Sequence, residues 1–457
     1  MAARVPNTAL RNAIHDAGWT YAAAAAAVRQ VASEAGVVLR TNKSAVEHWV
    51  AGALPEQATR GYLAEALTRR LHRIVTHGDL AFPPPGTGGD ESMGLSLDAD
   101  PVPVLAQMWR AELDRRGFMA TSAYSAAAAL LPLEQVIDIA ARTGRIRSGA
   151  VAGRAEVAAV RDMISAFTEM DERHGGQHGR TALLQYMLDD VAPLCRGRFR
   201  TEADRIQMLS AASRGVHLIG WKAYDNGQQG LAQRYYLQSY ALAVEAGLRG
   251  QDGFVLRTMA MQNMKLRRPE HCVALAEAGW DRARGHVDTQ TEALFRIVHA
   301  HTLAKTGQRR QAITEVERAR HALASDRGDA TPFWALAWGP PTAAVHARAA
   351  KVFETLGDRP GAADQYARAA ASRPVPTFAR VVALELAAQA GLEHGQGHIE
   401  QACDTWSQAI DTMQGVHSVR TRKAVTDLRR SIQPYRIRGL QCAQELDERA
   451  LAFLRDS

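Results

Sequence analysis

Cysteine is scarce. The 457 residues contain four, Cys195, Cys272, Cys403 and Cys442, and no two form a C-x-x-C pair. That spacing argues against a sequence-local zinc site or a disulfide framework and suits a reducing compartment. Aromatic residues make up only 6%, so strand signals are thin and Ala-rich segments dominate, which points to an all-α protein. No run reaches the roughly 18 unbroken apolar residues of a membrane span. The opening residues, MAARVPNTALRN, lack the apolar core of an export signal. DRRGFMATSAYSAAAALLP (114–132) imitates a twin-arginine signal, but more than a hundred residues precede it, and an Ala-rich helix after a basic turn is the expectation. Catalytic signatures are missing as well: no G-x-S-x-G, H-E-x-x-H or Walker sequence occurs, and GTGGD (86–90) has no Gly-Lys-Ser/Thr after it. These absences lead to a cytoplasmic, non-enzymatic protein without cofactor or membrane partner.

What is present is a hydrophobic content of 46%, ample for a packed core, and a formal charge of +7, which is compatible with a polyanionic partner. Composition divides the chain into a helix-patterned head (1–82), a Pro/Gly/acid-rich linker (83–101), a connecting helical region (102–204) and a repeat region (205–457). The head should hold helices over 7–18, 20–36, 41–52 and 57–73, closed by a turn over 75–82. Within TNKSAVEHWVAGALP (41–55), Ala45, Val46, Trp49 and Val50 make one apolar stripe, and Lys43, Ser44, Glu47 and His48 stand opposite. Gly52 can close the helix in left-handed geometry and Pro55 prevents its resumption. Two readings stay open: the polar face meets base edges, or Ser44-x-x-Glu47 is a capping box that makes Glu47 architectural.

S44-A-V46-E-H-W49-V-A-G52-A-L-P55 has the spacing Ser-x-Val-x-x-Trp-x-x-Gly-x-x-Pro, and on it residues 7–82 resemble the Xre/Cro-type helix-turn-helix family. The resemblance implies that Lys43, Ser44 and His48 face the major groove, with Asn42 and Glu47 as neighbours. Arg40, Arg60, Arg69 and Arg70 are candidate phosphate contacts. The link from Gly36 to Thr41 is longer than the family's tight turn.

In the second region Ala232, Cys272, Ala312, Ala362 and Ala402 recur at spacings of 40, 40, 50 and 40. Gly227, Arg267, Gly307, Gly357 and Gly397 stand five residues before them, and Ser239, Gly279, Ala319, Ala369 and Ala409 seven after. The unit reads helix, Gly turn, helix, and no unit buries its apolar face alone, so stacking is expected. The pattern resembles tetratricopeptide repeats, lengthened beyond their usual period. A head and tail of this layout, with MDERHGGQHGR (170–180) and GWKAYDNGQQGLAQRYYLQS (220–239), resembles actinobacterial regulators, and in layout the peptide-sensing regulators of Gram-positive bacteria. The resemblance implies a nucleoid-associated regulator that binds double-stranded DNA as a homodimer, with a peptide, small ligand or protein partner in a repeat groove. A repeat scaffold for proteins, without specific DNA recognition, is the alternative.

Polar and aromatic residues on the inner helices are the candidate ligand contacts: Trp221, Tyr224, Asp225, Arg257, Gln262, Asn263, Arg296 and His299. Amides can pair with a peptide backbone and Arg with a carboxylate. His174 and His178 stand four apart, but the intervening Gly pair reads as a turn, and no metal site is expected.

Overall fold

The computed structural model describes residues 5–34, 37–71, 75–82, 93–114, 151–174, 178–266, 269–325, 328, 330–416 and 418–456. The fold is all-α with helical repeats; among the described residues the extended exceptions are Val151–Ala152 and Arg198–Phe199, a two-residue parallel pair. The chain separates into two compact units, Met1–Gly153 with Thr181–Ala246 and Arg154–Arg180 with Gly247–Ser457. The expected boundaries at 102 and 205 are therefore not where the chain divides. The segment Arg154–His174, read as a connector, belongs with the later repeats because its Asp171 and Glu172 are buried against Arg380 (2.9 and 3.2 Å).

In the first unit the head consists of α1 (Thr8–Asp16), α2 (Tyr21–Glu34), α3 (Lys43–Val50) and α4 (Gln57–Leu71). Leu10, Ile14, Val28, Val31, Val46, Trp49, Tyr62, Leu63, Leu67, Leu80 and Phe82 share one core. Asn7 starts α1, its side chain accepting from the Leu10 N–H at 2.8 Å and donating to the Leu80 carbonyl at 2.8 Å, so one residue ties the first helix to the closing turn. Arg69 bridges Glu34 on α2 (2.7 Å) and Glu65 one turn back on α4 (2.6 Å). The long link between α2 and α3 is held at its far end by Arg29, which donates to the Thr41 carbonyl.

The expected linker is only partly one. Residues 83–92 lie outside the described residues, but 93–100 is docked: the carbonyls of Met93, Gly94 and Ser96 accept from Arg234 and Gln238 at 3.0–3.1 Å. Asp100 shares the buried Arg196 with Glu245 (2.6 and 2.8 Å). An acid/Gly-rich segment reads as loose by composition, yet here its acid and its carbonyls have partners. The Arg-pair segment at 115–132 lies outside the described residues.

Between the head and the repeat in chain order come α5 (Pro101–Asp114), α6 (Arg154–His174), α7 (Arg180–Tyr186) and α8 (Ala192–Cys195). The repeat is observed as six helical hairpins among the described residues. The first, α9 (Glu202–Asp225) with α10 (Gln229–Ala246), lies in the first unit. Five lie in the second: α11 (Gln251–Lys265) with α12 (Pro269–Ala283), α13 (Thr289–Lys305) with α14 (Arg309–Ala324), α15 (Pro341–Thr355) with α16 (Arg359–Ala371), α17 (Val375–Gly395) with α18 (Ile399–Thr412), and α19 (Val419–Ile437) with α20 (Gln441–Asp456). All five anchors are fully buried on the second helices. The turn before them is the same each time: Gly227, Gly307, Gly357 and Gly397 take φ of 79–89°. The next N–H bonds back to the first helix, as Gln308 does to Leu303 (2.9 Å) and His398 to Glu393 (3.1 Å). That left-handed closure suits glycine and satisfies the orphan carbonyls of a helix end. Arg267, the exception in the pattern, lies outside the described residues.

Two regularities escaped the sequence reading. Twelve residues before each anchor stands another small residue, Gly220, Ala260, Ala300, Ala350 and Ala390, buried on the first helix. In the sixth hairpin Gly439 stands four rather than five residues before the anchor, Ala443, and Ala450 follows seven after it. α17 is long and apolar enough to cross a membrane by length and composition. It also carries the fully buried Arg380, ion-paired to Asp171 and Glu172, and packs against α18 and Arg154–His174.

Candidate nucleic-acid interface and candidate ligand face

α3 buries Val46, Trp49 and Val50 in the head and turns Lys43, Ser44 and His48 to solvent. Its cap differs from the expected box. Asn42, extended at φ −129°, accepts from the Ala45 N–H at 2.9 Å, so Asn42 is the cap and Ser44 sits inside the first turn. The reason is stereochemical: a capping residue must leave helical geometry, and Asn42, two residues earlier, does so as readily as Ser. Glu47 instead meets Lys43 at 3.3 Å across one turn, both side chains largely exposed, a pair worth only about 0.3–0.5 kcal/mol. Among the described residues the side chains of Ser44 and His48 make no ion pair or hydrogen bond. Lys43 stands at the positive end of a helix with no acid in its first turn, a placement that is locally unfavourable.

The flanking arginines divide. Arg40 is exposed. Arg60 is 8% exposed and part of the α4 packing face, so it is withdrawn as a phosphate contact. Arg69 goes the same way, consumed by Glu34 and Glu65, which together hold its guanidinium proton more tightly than usual against the cost of burial. Arg70 is exposed and donates to the Ala17 carbonyl at 2.7 Å, closing the end of α1. The docking of α4 in the core turns Arg60 and Arg69 inward.

The eight ligand candidates do not form one group. Trp221, Tyr224 and Asp225 belong to the first unit, where Trp221 stacks on Tyr224 at 5.1 Å between centroids and 20° between planes, and Asp225 is buried. Arg296 and His299 face second helices rather than an open surface. Arg296 pairs with Glu292 (2.6 Å) and Glu315 (3.2 Å) and lies 4.6 Å over the Trp280 ring, and His299 is 3.6 Å from Glu277. Asn263 is buried and donates back to the Met259 carbonyl of its own helix at 3.1 Å, and Gln262 is buried beside it. These four serve packing within the repeat as placed. Arg257 is different: it is 3% exposed, donates to the Leu294 carbonyl at 2.6 Å on the next first helix, and has Arg348 near enough that burial and that second cation push its guanidinium well below the usual range. The rings of His174 and His178 lie 4.8 Å apart, tilted by 42°, and among the described residues no cluster of three or more metal-ligating side chains occurs.

Sequence reasoning missed the groups around Arg257. One residue after the small position on successive first helices come Met261, His301 and Lys351, eleven before their anchors. Arg348 joins them, with its guanidinium 2.9 Å from Met261 Sδ and 3.3 Å from His301 Nδ1. Lys351 Nζ donates to Tyr366 Oη at 3.3 Å, and that hydroxyl donates to Glu354 at 3.3 Å. The signal lay in the repeat register: the positions flanking each small residue share a face.

A family model described as the SP15 N-terminal domain matches residues 10–83. No curated protein matches the chain. The matched span coincides with the head core that runs from Leu10 to Phe82 and covers a minor part of the 457 residues.

Proposed function

We propose that the protein is a sequence-specific DNA-binding transcriptional regulator of the bacterial cytoplasm, associated with the nucleoid. On this reading α2 and α3 form a helix-turn-helix, and the hairpin repeats bind an effector and support dimerisation. The observation that carries the reading is α3 itself. Its apolar side is fully used by the head, while Lys43, Ser44 and His48 remain exposed with little or no structural work of their own. Lys43 can donate to guanine O6/N7, Ser44 to a base edge or phosphate, and His48 to a purine N7. Arg40 supplies a phosphate contact beside them. With Asn42 as the cap, Glu47 is released to accept from cytosine N4, at the expense of its pair with Lys43.

Genome-wide mapping of bound DNA, followed by gel-shift titration on the recovered site, tests the proposal. Lys43→Ala with His48→Ala should abolish specific binding without changing the unfolding midpoint, each good base contact being worth about 1–3 kcal/mol. Binding should weaken steeply with salt. A homodimer should protect two half-sites about 34–36 Å apart, or a multiple of that. Normal operator binding by the double variant rules out α3 as the reading helix, and a protein with no DNA affinity returns the chain to the scaffold reading.

A further inference from the structure

The second unit gathers positive charge where its first helices lie side by side. Arg257 on α11, His301 and Lys305 on α13, Arg348 and Lys351 on α15 and Arg420 on α19 act on one another electrostatically. Arg348 is in direct contact with Met261 and His301 from the two preceding first helices. The carboxylates that Lys351 and Tyr366 feel are Glu354, which accepts from Tyr366, and Glu385, which Arg373 holds at 2.5 and 2.7 Å. Among the described residues neither Lys351 nor Lys305 makes an ion pair, and both are exposed.

The cost of this arrangement is visible in its proton affinities. Burial, then Arg348, Lys351 and Lys305, push the His301 imidazole well below its usual range. An arginine never gives up its proton, so His301 Nδ1 is the acceptor in that contact and Nε2 carries the hydrogen. Lys351 is pushed down to about 8, chiefly by the protein packed around it and by Arg348, with Arg420 and Lys305 adding and Glu354 opposing. Cations crowded until a lysine titrates close to physiological pH raise the energy of the folded protein. A ligand bringing more than one negative charge removes that strain, and perturbed groups of this kind gather at binding sites.

The geometry points to an anion site at Lys351, Lys305, His301 and Arg348, built to take a small ligand carrying a phosphate or pyrophosphate group. A guanidinium fork, two ammonium groups and an imidazole N–H match the several acceptor oxygens of a phosphoryl group and its double charge better than a lone carboxylate. Met261 and the Tyr366 ring, 5.7 Å from Lys351 Nζ, form the apolar side of the site. This deepens the effector part of the proposed function by naming the ligand class, and it holds whether or not the head binds DNA.

Calorimetric titration of the full chain with inorganic pyrophosphate, phosphate and acetate at matched ionic strength tests it. Pyrophosphate should bind saturably, phosphate more weakly, and acetate not detectably. Near pH 8 binding should be accompanied by proton uptake, seen as a dependence of the heat on buffer ionisation, because the anion restores the Lys351 proton. Lys351→Met should weaken pyrophosphate at least tenfold and raise the thermal midpoint of the ligand-free protein, which a merely structural lysine would not do. Lys423→Met, at an exposed lysine paired to Asp427, should change neither. The Lys43→Ala/His48→Ala variant should keep pyrophosphate binding even when DNA binding is lost. A nucleoside monophosphate that binds more tightly than pyrophosphate assigns the phosphate to an organic ester, and the reverse order to the inorganic anion. The inference is overturned by absent or non-saturable heats, by equal response to acetate, or by unchanged affinity in Lys351→Met.

Discussion

Gly253→Ala tests the close crossing of α11 and α12, because local and tertiary physics predict opposite signs. Ala is favoured over Gly within a helix by about 1 kcal/mol, so on propensity alone the substitution stabilises. In α11, however, a Cβ on Gly253 would stand 2.3 Å from the Gly279 carbonyl oxygen of α12, and one on Gly279 would stand 2.8 Å from the Gly253 carbonyl oxygen. Both obstacles are backbone and cannot rotate away, so the helices must separate by roughly 1 Å, which forfeits a large part of the dispersion along the crossing. Overpacking of this kind costs typically about 1–3 kcal/mol. With the propensity gain set against the upper half of that range, the net loss is about 1–2 kcal/mol. Gly391→Ala is the control: it lies on the exposed side of α17, and a Cβ there meets nothing within 4 Å. That variant should gain up to about 1 kcal/mol. Thermal unfolding reads both, at about 2–4 °C per kcal/mol for a unit of this size. If Gly253→Ala unfolds at or above the parent midpoint, the close crossing of α11 and α12 is wrong.

Three other outcomes follow from buried chemistry. Arg196→Met leaves Asp100 and Glu245 facing each other in the first unit and should cost about 3–5 kcal/mol in urea unfolding, the usual loss for breaking a buried pair; a loss below 1 kcal/mol refutes the burial of that cluster. Burial pushes the Cys195 and Cys403 thiols up to about 12, and Cys272 is fully buried, so a thiol reagent at pH 8 should modify only half-buried Cys442 in the native protein and all four after denaturation. Burial raises Glu385 to about 7 against the pull of Arg373. The folded state therefore holds a proton that the unfolded chain has released from about pH 4.5 upward, and stability from this group is present below that pH and declines as pH rises to about 7. Glu385→Gln should flatten that slope in pH-dependent unfolding, whatever its effect on the absolute midpoint; an unchanged slope assigns the pH dependence to other groups.

Much of the fold could be read from residue spacing because helices report their own periodicity. Val46, Trp49 and Val50 stand on one apolar stripe in the sequence and are buried, and the small residues at 40- and 50-residue intervals mark the hairpin crossings. The Gly turns were equally legible, since left-handed closure and glycine go together. Sequence could not decide matters of rotation and distant pairing. Arg60 and Arg69 are candidate phosphate contacts in the sequence and are turned inward by the docking of α4. Arg154–His174 read as a connector and is held among the later repeats through Arg380, more than two hundred positions along the chain. Arg257 is one of eight candidates in the sequence, but the cation group it joins is contributed by four separate first helices, its own included, and exists only once they lie together. Periodicity is local and survives in the sequence; which charge faces which is set by packing over long range, and only the tertiary structure decides it.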